Sequence, residues 1–178
     1  TNVRTGKIRV FEAAEVTTEV ILASACLPTL FQAVEITDPR TGTKEAYWDG
    51  GYTGNPALWP LFAPELPDDV VIVNINPIVR DEVPRSAQDI QNRINEISFN
   101  SSLLRELRAI DFVRRLIADG RIARGTMKDV LVHMIADDVL MNELSATTKL
   151  TPSPYLLHRL KQAGRAAAAA FLEKNRGD

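Results

Sequence analysis

The chain has 178 residues, 45% hydrophobic and 25% charged, which is the size and composition of one globular domain with its own core. Its 21 lysines and arginines and 23 aspartates and glutamates give a net charge of −2, so we expect no nucleic acid partner. A single cysteine excludes an intramolecular disulfide, and no apolar run reaches the roughly 20 residues of a membrane-spanning helix.

The first residues are predicted to form a β-hairpin. Residues 1–3 and 7–11 are short extended runs on either side of Arg4-Thr5-Gly6, and the Thr-Gly pair is typical of a turn. A chain that opens inside a hairpin is expected to begin in the middle of a fold, with sheet-forming sequence before it.

A short helix is predicted after this hairpin. Val20, Ile21 and Ala25 follow helical spacing and indicate a helix over 15–26. Thr17 or Thr18 is expected to cap its start, and the proline at position 28 is expected to end it.

Four strands are predicted in two groups. Residues 31–36 and 45–48 form a second hairpin around a turn at 38–42. The apolar runs 70–75 and 129–135 are predicted to be strands buried on both faces, which is typical of a parallel sheet.

The strongest helical pattern lies over 86–118, where apolar residues recur at steps of three and four. Residues 100–102 are positions at which this helix is expected to bend or break. The helix also carries four arginines that predict a solvated face, or one that touches anionic lipid headgroups: Arg105, Arg108, Arg114 and Arg115.

Two further helices are predicted from their starting residues. Asp137 or Asp138 is expected to cap a short helix over 139–144. Ser153 followed by proline starts a last helix that runs to about Lys174. Strands that alternate with helices predict an α/β fold, a mostly parallel sheet with helices on both faces.

Asp49 is the strongest candidate for chemistry. It follows the strand end at Tyr47-Trp48 and precedes Gly50-Gly51, where glycine lets the backbone turn and a ligand approach. A carboxylate at a strand end acts as a general base when a nucleophile faces it. The alternative is a turn aspartate that hydrogen-bonds to its own backbone.

The remaining candidates are predicted to have structural roles. They are Asn55, Asn74 and Asn76 as hydrogen-bonding residues, Cys26 as a buried hydrophobe, His133 in the core and His158 on the surface. Two histidines cannot form a His-x-x-x-His zinc site at this spacing, so no metal or cofactor is predicted. No serine lies in a Gly-x-Ser-x-Gly motif, and no glycine-rich anion cradle precedes a helix.

Three stretches together resemble the bacterial patatin-like phospholipases. They are Ala-Ser-Ala-Cys-Leu-Pro-Thr-Leu-Phe at 23–31, Tyr-Trp-Asp-Gly-Gly-Tyr at 47–52 and Asn-Pro-Ala-Leu at 55–58. Residues 153–172 resemble the closing helix of that family, so the resemblance covers essentially the whole chain. It implies that residues 1–178 are the C-terminal portion of a single domain, a partial three-layer fold that lacks the N-terminal strands.

The resemblance implies hydrolysis of a lipid or other acyl ester by a Ser-Asp dyad, with Asp49 as the aspartate. The serine and the glycine-rich oxyanion loop belong to the N-terminal half of the family domain. The chain alone is therefore expected to be inactive and to need that half as its partner. It is expected in the cytoplasm, either free or peripheral at membranes, with an open sheet edge that permits homo-oligomers. The alternative is a non-catalytic α/β binding or assembly module.

Overall fold

The structure, a computed structural model, describes residues 1–28, 30–144, 148 and 151–176. The helices of these residues are α1 (Thr18–Ser24), α2 (Ala87–Ala118), α3 (Asp138–Glu143) and α4 (Pro154–Lys174). The strands are β1 (Val34–Thr37), β2 (Lys44–Tyr47), β3 (Asp69–Asn74) and β4 (Leu131–Ala136). Strands β1 and β2 form one small sheet and β3 and β4 another, so the predicted mixed α/β class is confirmed.

The antiparallel hairpin of β1 and β2 is confirmed, with Val34 opposite Tyr47. The turn predicted at the start of the chain is present, since Asn2 N donates to Lys7 O and Gly6 N donates to Asn2 O, each at 2.9 Å. The predicted hairpin is not completed, because residues 7–11 form no strand and Asn2 bridges to Tyr47, where it extends the sheet at β2. The Asn2 side-chain oxygen accepts hydrogen bonds from the N–H groups of Arg4 and Thr5, at 3.0 and 2.9 Å. The Asn2 side chain therefore stabilises the turn that brings Lys7 back to Asn2.

A buried ion pair fixes the segment that leads into α1 against this hairpin. Arg9 Nε donates to Asp38 Oδ2 at 2.9 Å, and Arg9 Nη2 donates to Glu15 Oε1 at 2.9 Å. The Tyr47 hydroxyl donates to the same Asp38 oxygen at 2.8 Å. Nothing in the local sequence pattern indicated this cluster, since its members are far apart in the chain.

Strands β3 and β4 are parallel, with Val70 opposite Val132 and Ile72 opposite Met134. One face of this sheet packs against α2. That contact contains the central core cluster, whose residues are Leu58, Val70, Ile72, Leu103, Ile110 and Val130. On the other face, α4 contacts β4, where the rings of Phe171 and His133 lie 6.1 Å apart.

The prediction that β3 is buried on both faces is wrong. Val70 and Ile72 are buried, whereas Val71 and Val73 are 50% and 68% exposed. The difference arises because α4 lies over β4 and leaves the β3 half of that face open. An unbroken apolar run cannot show which of its two faces finds a neighbour.

The predicted helix starts are confirmed. Thr17, Ser86, Asp137 and Ser153 each accept a hydrogen bond from a main-chain N–H in the first turn of the helix that follows. Helix α2 runs unbroken through residues 100–102, because Asn100 and Ser102 direct their side chains to other loops. Among the described residues, no helix combines the length and hydropathy needed to cross a bilayer.

Candidate functional site

Asp49 lies just beyond β2, where it caps a single 3₁₀ turn over Gly50–Tyr52. Its Oδ1 accepts a hydrogen bond from Gly51 N at 2.7 Å. Its main-chain N–H donates to Cys26 O at 2.9 Å, and its carbonyl accepts from Thr1 Oγ1 at 2.9 Å. Within the described part of the chain, Oδ2 has no hydrogen-bond donor. The residue is therefore held firmly while one carboxylate oxygen stays available.

The two glycines after Asp49 have different roles. A Cβ on Gly51 would lie 2.3 Å from Phe99 Cε1 and 3.0 Å from Asp49 Oδ1, so only glycine fits there. A Cβ on Gly50 would meet nothing within 4 Å. Gly51 is thus the glycine at which the loop packs closely against Phe99 of α2, and Gly50 is the one with open space around it.

Exposed apolar side chains occur in the 3₁₀ turn after Asp49 and in the segment after Cys26, whose carbonyl accepts from Asp49 N. Tyr52 packs edge-on against Phe99 with ring centroids 5.0 Å apart, and it remains partly exposed. Burial, and secondarily the charge of Asp49, raises the pKa of the Tyr52 phenol, so the hydroxyl is neutral at physiological pH. Leu30 and Phe31, close after Cys26 in the chain, are also exposed.

Two turns of α2 anchor the segment that follows Asp49. Ser102 Oγ accepts from Asn55 N at 2.8 Å, and Glu106 Oε2 accepts from Leu58 N at 2.7 Å. Burial raises the pKa of the Glu106 carboxyl, while its main-chain partners act in the opposite direction. These contacts could not be predicted, because they join side chains about 47 residues from their partners.

The same part of α2 meets the carboxyl end of β3. Asn100 Nδ2 donates to Pro77 O at 3.0 Å, and Asn74 Nδ2 donates to Asn76 O at 2.9 Å. The Asn74 side chain therefore hydrogen-bonds to the main chain, in keeping with its predicted structural role. Since Phe99 touches the Asp49 loop and Asn100 touches the residues after β3, the two regions are neighbours. Ligands of open α/β sheets bind at such carboxyl ends.

The other candidate residues do not join Asp49 through their side chains. The Cys26 thiol is buried and lies 3.1 Å from Gln32 O. His133 is not a core residue as predicted but half-buried on the partly open sheet face, where its Nε2 lies 2.7 Å from Asp69 Oδ1. His158 is exposed, as predicted. The described residues contain no cluster of histidine, cysteine or carboxylate groups that could hold a metal.

No described serine reaches the Asp49 carboxylate. Ser24 and Ser101 donate to carbonyl groups of their own helices, at 2.8 Å in each case. Ser86 and Ser153 are helix caps, and Ser102 binds the loop at Asn55. Within the described ranges, the donor to the Asp49 carboxylate is Gly51 N, and no serine hydroxyl is hydrogen-bonded to it. Ser145 lies outside the described residues.

No protein-family model, curated protein or solved structure matches the chain.

Proposed function

We propose that the chain is the C-terminal part of a patatin-like lipid acyl hydrolase in which Asp49 is the general base of a Ser-Asp dyad. The observation that carries the proposal is the Asp49 carboxylate. The N–H and C=O groups of Asp49 are both hydrogen-bonded, and its Oδ1 accepts from Gly51 N. Its Oδ2 has no hydrogen-bond donor among the described residues. The three stretches at 23–31, 47–52 and 55–58 favour the patatin-like class among ester hydrolases.

The proposed reaction uses Asp49 twice. Oδ2 first takes the proton of a serine hydroxyl as its oxygen attacks the acyl carbonyl, and the proton then passes to the departing alkoxide. In the second step Asp49 removes a proton from water, which releases the acid and returns the proton to serine. Main-chain N–H donors stabilise the oxyanion in both steps. We propose that the serine and these donors belong to a segment of the parent protein outside the 178 residues.

Two further features support this proposal. Leu30, Phe31 and Tyr52 are exposed apolar side chains in the segments that follow Cys26 and Asp49, and a fatty acyl chain requires such surface. The contacts of α2 with one face of the β3–β4 sheet, and of α4 with the other, are compatible with part of a three-layer fold.

A second candidate is a non-catalytic binding or assembly module. The hydrogen bond from Gly51 N to Asp49 Oδ1 favours it, because a turn aspartate makes the same bond without any chemistry. The two proposals differ in what the loss of the Asp49 charge does to ester hydrolysis.

The test is hydrolysis of p-nitrophenyl esters of increasing chain length by the parent protein and its Asp49→Asn variant. We expect kcat to fall by roughly 10²–10⁴, the usual contribution of a general base. Asp119→Asn is the matched control, since Asp119 is an exposed residue at the end of α2. His133→Ala and His158→Ala should retain most of the activity, because the dyad uses no imidazole. An Asp49→Asn protein with the wild-type rate, or a folded and inactive histidine variant, would exclude the dyad.

A further inference from the structure

We propose that the outer face of α2 binds the surface of an anionic membrane. In this arrangement its apolar side chains enter the acyl region of the lipids, and its arginines contact the headgroup phosphates. The outer face is one stripe along the helix, whose members are Ile90, Ile94, Ile97, Arg105, Arg108 and Phe112. It takes no part in the chemistry proposed for Asp49, so it is a second functional surface of the chain.

The stripe points away from the sheet. Leu103 and Ile110 are buried in the core cluster that joins α2 to the sheet of β3 and β4. Arg105 and Phe112 follow them by two residues, which is about 200° around the axis of an α-helix. The stripe therefore lies on the side of α2 opposite the core, and its members from position 90 to position 112 span about 33 Å.

The apolar half of the stripe is the feature that the fold itself does not explain. Ile90, Ile94 and Ile97 are 43%, 51% and 55% exposed, although they follow the helical spacing that usually identifies a buried face. Helix α2 therefore has two apolar faces, one packed against the sheet and one in contact with water. Three aliphatic side chains together on an outer face are typical of a surface that a partner or a membrane covers.

The other half of the stripe adds positive charge. Arg105 and Arg108 are exposed, and neither has an ion-pair partner among the described residues. An exposed carboxylate of the same helix, Asp111, is paired with Arg115 at 3.1 Å. Phe112, which is 56% exposed, lies one turn beyond Arg108. Because the whole chain has a net charge of −2, this half is a local concentration of positive charge, and anionic headgroups attract such a surface.

A membrane surface fits this stripe better than another helix does. In a helix–helix interface Arg105 and Arg108 would lie within the contact, and burying a charge without a counter-ion is costly. A second copy of α2 would bring these arginines against each other or against the isoleucines. At a bilayer surface the aliphatic side chains insert, while the long stems of the arginines let the guanidinium groups reach the phosphates. A guanidinium forms two parallel hydrogen bonds with a phosphate, so each arginine has a specific ligand there.

The test is co-sedimentation of the 178-residue chain with lipid vesicles of two compositions, phosphatidylcholine alone and phosphatidylcholine mixed with phosphatidylserine. We expect the chain to bind the mixed vesicles at least roughly 10-fold more tightly, and the difference should shrink at high salt. Replacing both Arg105 and Arg108 by glutamine should reduce the affinity for mixed vesicles by roughly 10- to 30-fold. The matched control is Arg4→Gln with Arg40→Gln, which removes the same charge from exposed positions outside α2.

A second pair of variants tests the insertion of the apolar side chains. Ile94→Ser should weaken binding to mixed vesicles by at least roughly 3-fold, because less apolar surface enters the lipid. Val139→Ser is the control and should bind like the wild type, since Val139 is 77% exposed but lies on α3. The replaced side chains are all exposed, and melting temperatures verify that each variant is folded.

Absence of binding, equal affinity for the two kinds of vesicle, or an equal loss in the Arg4 and Arg40 variant would overturn the inference. So would wild-type binding by Ile94→Ser, because the stripe would then be a purely electrostatic surface of the kind that an acidic protein recognises. Ester hydrolysis is scored separately. The Asp49 loop contacts Phe99 on the inner side of α2, so Asp49→Asn should leave vesicle binding unchanged whatever it does to hydrolysis.

Discussion

Phe99 lies so close over Gly51 that any side chain on Gly51 would overlap its ring, with a Cβ only 2.3 Å from Phe99 Cε1. The ring comes from the middle of α2, and it is packed edge-on against Tyr52 as well. The position of the Asp49 loop is therefore set by a helix that begins 37 residues after Gly50, in addition to the local turn.

Replacing Gly51 by alanine should destabilise the protein. The added methyl group must displace Phe99 or the loop, and such overpacking costs about 1–3 kcal/mol. Gly50→Ala is the matched control, since its Cβ meets nothing within 4 Å, and it should change stability by less than about 0.5 kcal/mol. Urea unfolding of the two variants measures the difference, and equal midpoints would show that Phe99 yields without cost.

Replacing Asp49 by asparagine should lower the stability of the protein less than replacing it by alanine. The asparagine oxygen still accepts from Gly51 N, whereas alanine leaves that donor without its cap, at a cost of about 1 kcal/mol. Melting temperatures of Asp49→Asn and Asp49→Ala give the result. If asparagine were as destabilising as alanine, the charge itself would be needed to hold the turn.

Local signals predicted the helices well. Ser86 before α2, and Ser153 with Pro154 at the start of α4, act within a few residues of themselves, so the sequence contains the whole interaction. The parallel pairing of β3 with β4 also followed from their apolar runs. The Asp-Gly-Gly motif singles out Asp49 as a candidate, but the close contact of Gly51 with Phe99 cannot be read from the motif.

Contacts between elements that are far apart in the chain could not be predicted from the sequence pattern. The run Val70 to Val73 predicted a strand but not that α4 covers β4 and leaves β3 open. The turn expected within residues 1–11 forms, but Asn2 pairs with Tyr47 and residues 7–11 form no strand. In both cases the neighbour that determines the result is distant in the sequence.

Removal of the guanidinium from the buried ion pair should be strongly destabilising. The Arg9 and Asp38 side chains are only 8% and 6% exposed, so Arg9→Met leaves a buried carboxylate without its countercharge, at a cost of about 3–5 kcal/mol. The exposed pair Lys44–Glu35 is the control, and Lys44→Met should cost less than about 1 kcal/mol. Chemical unfolding of Arg9→Met and Lys44→Met measures the two losses of stability. Losses of similar size would mean that the other hydrogen bonds of Asp38 compensate for the missing guanidinium.

The same pair predicts how stability depends on pH. The Arg9 guanidinium, helped by Arg40 N and the Tyr47 hydroxyl, holds the pKa of Asp38 well below its usual range despite burial. A carboxyl whose pKa is lowered by folding contributes its full stabilisation above its unfolded pKa of about 3.9, and that contribution is lost as the pH falls further. The urea midpoint should therefore decrease below about pH 4. Asp38→Asn should show a weaker dependence, and an unchanged slope would assign the acid sensitivity to other carboxylates.

The open face of β3 predicts the behaviour of a lysine variant. Val73→Lys places a charge on an exposed strand next to an unpaired edge, where lysine opposes edge-to-edge association. In the 178-residue chain it should lower concentration-dependent self-association and the binding of a hydrophobic dye, with little loss of stability.

Val139→Lys is the matched control for this substitution, because Val139 is 77% exposed on the short helix α3, away from the open β3 edge. It adds the same charge to the chain, so it should change self-association and dye binding less than Val73→Lys does. Sedimentation at increasing protein concentration and dye fluorescence compare the two variants. Equal effects of Val73→Lys and Val139→Lys would show that net charge, and not the β3 face, controls the association.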